Sequence, residues 1–293
     1  MTTGISRKTF QLTPFANRAA AWAAGLLLLV AFLACLVSPF LAIDQARWPF
    51  PGFVVESNLN VSKMMRPEWA GQALGQGGWR VVRVGTTDVH RPADLDAYLR
   101  NVPFGTLVEY TLQSRTTPDV FQSIGIPANR IPAWDNVFQS IVIPANRFPP
   151  WDMVLFFWGP YFVALAYLVC GLWIYRARRE EPAARACTVA CAAAALSLGL
   201  ALDVLWGHHV DWLWILSLPL VGAGILHLGL LFPEPLPLTR RAAWAMGLPY
   251  VLAAGLAAWG TVNYVTTGTG PTALAFWQPA GLWISVSSFF EIT

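Results

Sequence analysis

A polytopic α-helical membrane protein of about six transmembrane helices, with a small α+β domain outside the membrane, is the architecture this sequence predicts. Three observations carry it. The 293 residues are 56% hydrophobic and only 12% charged, a balance far from that of a soluble chain of this length. Six apolar runs approach the roughly twenty residues that cross a hydrocarbon core about 30 Å thick. The charge is also concentrated, since residues 44–152 hold ten of the nineteen Lys and Arg and ten of the sixteen Asp and Glu.

The runs are 19–43, 153–175, 186–206, 212–232, 242–262 and a short one at 275–290. The first is centred on Gly25, Leu26, Leu27, Leu28, Leu29 and Val30. Its alternative, a cleaved signal peptide, is disfavoured by its length and by the lack of a small-residue cleavage site. Pro160, Pro219 and Pro249 inside later runs predict kinks or early helix ends.

Orientation follows from the basic residues. Arg7, Lys8 and Arg18 precede the first run; Arg176, Arg178, Arg179 and Arg185 lie between the second and third; Arg240 and Arg241 lie between the fourth and fifth. The short segments 207–211 and 263–273 carry neither Lys nor Arg. Residues 1–18 are therefore expected in the cytoplasm and 44–152 outside it, in a bacterial inner membrane. The external segment is charge-balanced, so the net charge of +3 belongs to the cytoplasmic edges and leaves no footprint for nucleic acid. Cys35, Cys170, Cys187 and Cys191 all fall in apolar runs, with neither a disulfide framework nor a metal spacing.

Within the external segment, 44–118 reads as a folded unit. Strands are expected at 52–55, 80–84 and 106–112, a compact helical turn at 67–70, a glycine turn at 75–78 and a helix at 92–101 with Leu95, Tyr98 and Leu99 at helical spacing. The stretch Gly78, Trp79, Arg80, Val81, Val82, Arg83, Val84, Gly85, Thr86, Thr87, Asp88, Val89, the helix through Asp94 and Leu99, and Gly105 before the last strand resemble a PDZ domain of the bacterial envelope type. Trp79 stands where that family has aspartate, and Gly85 with Thr86 is a poor copy of its turn. The resemblance implies a groove for an extended peptide, walled by Phe53, Val54 and Val55 on a strand and by Leu95 and Leu99 on the helix. The alternative for these five residues is plain core.

Residues 120–135 recur as 137–152, each copy a β-branched run with a Pro-rich end. Two copies are too few for a solenoid. They read either as an in-frame duplication without function or as strands and turns on the membrane surface, with Trp134 and Trp151 as interfacial anchors. The juxtamembrane segment is accordingly 119–152.

Catalytic signatures are absent: no paired histidines with a glutamate for a zinc protease, and no serine in a glycine-flanked turn with a histidine partner. No metal or other cofactor is implied. Polar residues at membrane depth remain as candidates because they are costly there. Asp203, His208, His209 and Asp211 gather near the outer face and His227 sits towards the inner end of its run. They read either as a cation-binding or pH-sensing group or as a solvated loop, with His227 bonding a neighbouring helix.

The whole order resembles the N-terminal membrane sensory region of bacterial multi-span sensor histidine kinases. That resemblance implies a sensory input module of a two-component system, with a bilayer, a peptide or envelope protein ligand, and a second copy of the chain as partners. It also implies that kinase chemistry would reside in a missing C-terminal region, the chain being a fragment. The alternative is an envelope adaptor that recruits partners through the PDZ-like domain without signalling.

Overall fold

The computed structural model describes residues 14–62, 66–74, 78–114, 138–232, 243–266 and 273–292. Outside these lie Arg7, Lys8, the glycine turn at 75–77, the first copy of the repeat with Trp134, and Arg240 and Arg241.

Six long helices are described: α1 (Pro14–Ala46), α3 (Pro150–Arg178), α4 (Pro182–Gly199), α5 (Asp211–Leu231), α6 (Leu248–Thr266) and α7 (Ala273–Ile292). The short helix α2 (Pro92–Leu99) belongs to the domain between α1 and α3. Among the described residues five spans, Phe15–Ala46, Pro150–Arg178, Pro182–Gly199, Asp211–Leu231 and Trp244–Val262, are long and apolar enough to cross a membrane, against the six expected. Their outer surfaces carry exposed Trp22, Phe40, Phe162, Val169, Trp173 and Val251. A belt of this size is what a multi-pass membrane protein presents to lipid.

The α4 helix is the most enclosed, 61% buried against 17% for α3. Small side chains make this possible: Gly224 of α5 approaches the backbone of Ala190, and Gly171 of α3 approaches Cys191. Such pairs let helices pack by dispersion where lipid removes the hydrophobic driving force. The core of the bundle is Leu28, Cys35, Ala164, Leu168, Leu196, Trp214, Ile215, Leu218 and Phe276. Tyr161 donates to the Cys35 carbonyl at 3.1 Å and Tyr175 to the Ala21 carbonyl at 3.2 Å, so α1 and α3 run antiparallel.

The prolines act differently from one another. Pro160 follows a π-turn, Val154–Trp158, in which the Gly159 N–H bonds the Val154 carbonyl. The wider turn absorbs the donor that proline lacks, so α3 continues where an early end is predicted. Pro249 sits one residue inside α6, where its missing N–H costs nothing. Pro219 lies within α5, whose helix continues through it. A second π-turn, Asp203–Gly207, follows α4, with His208 N–H on the Asp203 carbonyl at 2.7 Å. The third run is therefore a helix that ends at Gly199 and a separate wide turn, not one helix through 206.

The domain between α1 and α3 is a four-stranded antiparallel sheet, β1 (Trp79–Val84), β2 (Thr87–Asp88), β3 (Leu107–Ser114) and β4 (Phe138–Pro144), in the order β2-β1-β3-β4. Gly85, at φ 53°, reverses the chain between β1 and β2 in the left-handed region that glycine tolerates. Val81, Val84, Leu95, Leu99, Val108, Tyr110, Leu112 and Ile143 form the core.

Two expectations change here. The predicted strand at 52–55 is irregular, bent at Gly52 and Phe53 and carrying a single bridge, Val55 to Val61, with Gly52 at φ 80°. The second copy of the repeat, expected in a juxtamembrane segment apart from the domain, supplies β4, paired with β3 from Leu107–Pro144 to Gln113–Phe138, with Ile143 and Ala145 buried. The folded unit thus runs beyond residue 118. Trp151 is 79% exposed at the start of α3, whereas its neighbour Asp152 is buried.

Candidate functional site

The domain meets the bundle at two places. The first is an aromatic cluster of Phe50, Trp69 and Phe148 from the domain with Phe156 and Trp206 from the bundle. Phe50 lies 5.0 Å from Trp69 and 5.4 Å from Trp206, both edge to face, the arrangement that aromatic quadrupoles favour. Beneath it, the buried Asp152 accepts from Trp69 Nε1 at 2.6 Å and is ion-paired with Arg66.

The second is polar and contains the residues singled out in the sequence. Asp203, in the π-turn and 4% exposed, accepts from Gln45 Nε2 at 3.2 Å, His209 Nδ1 at 2.8 Å and the Val210 N–H at 2.9 Å. His208 takes a left-handed backbone, φ 56° and ψ 19°, uncommon for a residue with a side chain. That conformation aims its buried ring from the bundle into the domain. Its Nε2 is 2.7 Å from the Val55 carbonyl and its Nδ1 is 3.0 Å from Asp211 Oδ2. Asp211 is fully buried, and its Oδ1 has no hydrogen-bond partner among the described residues.

Electrostatics follow from these contacts. Burial pushes the His208 imidazole towards neutrality, but the Asp211 carboxylate and the Val55 carbonyl outweigh it, leaving the pKa above the ordinary histidine value. His209 is also raised, chiefly by its hydrogen bond to Asp203. On the facing helix α2, burial lifts the Asp96 carboxyl to about 6.

Four of the five predicted polar residues therefore come together, but not as a solvated loop. Asp203, His208, His209 and Asp211 form a largely buried network against the sheet domain. His227 stands apart, its Nδ1 2.9 Å from the Tyr250 hydroxyl of α6. Among the described residues no group of acids, histidines and cysteines has a metal-holding geometry.

The five predicted groove residues also come together. Phe53, Val54, Val55, Leu95 and Leu99 are all buried, and they line one hollow with Leu202, Leu205, Trp206 and His208 from the bundle. The space left is about 30 Å³, room for roughly two or three water molecules. The hollow between the 52–55 segment and α2 is closed by the chain's own membrane turn.

Gln45 and Gly207 were not legible as members of this site. Gln45 is a polar residue at the end of a long apolar run, a signal that membrane depth makes meaningful. At Gly207 an added Cβ would collide with Gln45 Nε2, Asp203 Oδ1 and His209 Nδ1, so only glycine lets these three groups converge. The chain matches no family model, no curated protein and no solved structure with which it was compared. What the site does rests on its own geometry.

Proposed function

We propose that this chain is a membrane sensory input module, in which an external PDZ-like domain is coupled to a helical bundle through the turn 202–208. One observation carries the proposal: the wall of the hollow, at the Val55 carbonyl, is hydrogen-bonded by His208 of the turn that joins two membrane helices. A peptide entering the hollow displaces that turn, and a displaced turn changes the start of α5. A ligand shifts such an equilibrium by its differential affinity for the two arrangements.

The PDZ-like part of this reading is supported by α2 beside the 52–55 segment and by the residue pattern from Gly78 to Val89. The proposed orientation has the domain outside and the Arg176, Arg178 and Arg179 end in the cytoplasm, where a two-component kinase module would receive the signal. Arg178 and Arg179 pair with Glu181 and Glu180 at the end of α3 remote from the domain.

The test uses the whole chain in lipid nanodiscs and a pool of fluorescent hexapeptides with free apolar C-termini. Binding by anisotropy together with increased amide exchange at 202–208 supports the input module. Binding without that increase favours the adaptor, and the absence of binding removes peptide recognition.

A further inference from the structure

We infer that His208 and Asp211 form a proton-operated latch that holds the membrane turn 202–208 in the hollow of the external domain, closed when the pair carries a proton and released when it does not.

The reasoning begins with hydrogen-bond valence. Both partners of His208, the Val55 carbonyl and the Asp211 carboxylate, are acceptors. A neutral imidazole has one N–H and can satisfy only one acceptor. Both bonds form only when the pair holds one further proton, either as imidazolium with carboxylate or as neutral imidazole with carboxylic acid. The requirement is therefore independent of which partner holds it. When that proton leaves, either Val55 loses its donor or Asp211 becomes a buried carboxylate with no donor from His208, while its Oδ1 already lacks one. An unpaired buried charge is the more expensive outcome, so the bond to Val55 yields.

His209 is not a second latch, although it too touches a buried carboxylate. Its Nδ1–H reaches Asp203 in the neutral tautomer, its ring is partly open to solvent, and Asp203 keeps the Gln45 and Val210 donors. The other groups facing the latch are Asp96 and Arg100 of α2, and Tyr264 of α6 near the two aspartates. Asp96 is charged above about pH 6, and its charge then favours a protonated His208 rather than opposing it.

The sign follows directly. The His208 pKa is raised by folding, so the latch is fully formed below the ordinary histidine value and is lost as pH rises through the raised one. Above that value, opening grows about tenfold per pH unit, the slope of a single proton. This inference deepens the coupling proposed above and rests on it only for its use in signalling. The experiment contains no peptide, so failure of peptide recognition leaves the latch standing, and failure of the latch leaves peptide recognition standing.

The whole chain in nanodiscs is examined by hydrogen exchange at 52–62 and 200–212 from about pH 5.5 to about pH 9, corrected for intrinsic rates. Wild type is expected to lose protection at both segments in one alkaline step. In Asp211→Asn the side-chain amide donates to neutral His208 Nδ1 while Nε2–H keeps Val55, so both segments stay protected and the step disappears. In His208→Gln the segments exchange rapidly at every pH. A wild type without the step, or an Asp211→Asn protein that retains it, overturns the latch; those two measurements decide the matter even if His208→Gln fails to fold.

Discussion

At the scale of single residues, the junction depends on groups that have no room to move. Gly207 is the clearest: with a Cβ there, the Gln45 amide, the Asp203 carboxylate and the His209 ring cannot all remain in place. Gly207→Ala is expected to expel His209, which an NMR titration would show as its pKa returning to about 6.5. In the second anchor, Trp69→Phe keeps the ring but removes the donor to Asp152. Loss of a partner to a buried carboxylate costs about 1–3 kcal/mol, read as a lower apparent Tm in detergent. An unchanged Tm would show that Arg66 alone satisfies Asp152. The Asp and His residues of the junction were legible as a cluster because they crowd into nine positions of sequence. Their burial was not, because it is imposed by a domain more than a hundred residues away in the chain. His227 was grouped with them by chemistry alone: sixteen residues beyond Asp211 place it about 24 Å farther along the helix.

At the scale of elements, hydropathy located the long helices because lipid length and apolar composition leave few alternatives. It could not locate the two π-turns. A proline or an aspartate signals that the regular ladder is in difficulty, but not whether the helix ends, kinks or widens. The fourth strand was hidden for another reason. The repeat made 137–152 look like one of a pair, whereas pairing with β3 gives this copy a place in the core. That place requires one copy only. Twenty-three residues separate Ser114 from Phe138, and removing one period, residues 120–136, leaves six, a length that joins adjacent antiparallel strands without difficulty. The shortened chain is expected to fold with its domain intact, which protease resistance and tryptophan fluorescence would report; a domain that unfolds would give the first copy a structural task.

At the scale of the whole molecule, the sheet domain is fixed to the bundle by an aromatic cluster and a polar junction. Placing them on one side of the membrane rests on the distribution of Arg and Lys. In a cysteine-free background, Thr86→Cys is expected to react with an impermeant maleimide in intact spheroplasts, and Arg178→Cys only after permeabilisation. The reverse pattern would invert the assignment and put the proton-operated junction on the cytoplasmic side. One further consequence lies in how the domain is entered and left. Phe50 N–H bonds the Asn146 carbonyl at 2.7 Å, so the strands leading in from α1 and out to α3 meet before either helix is reached. The domain is a closed excursion from the chain, and closely spaced ends are what permit a domain to be exchanged between hosts. Evolution or an engineer can replace the domain by cutting at one point, while the bundle keeps its pairing of α1 with α3.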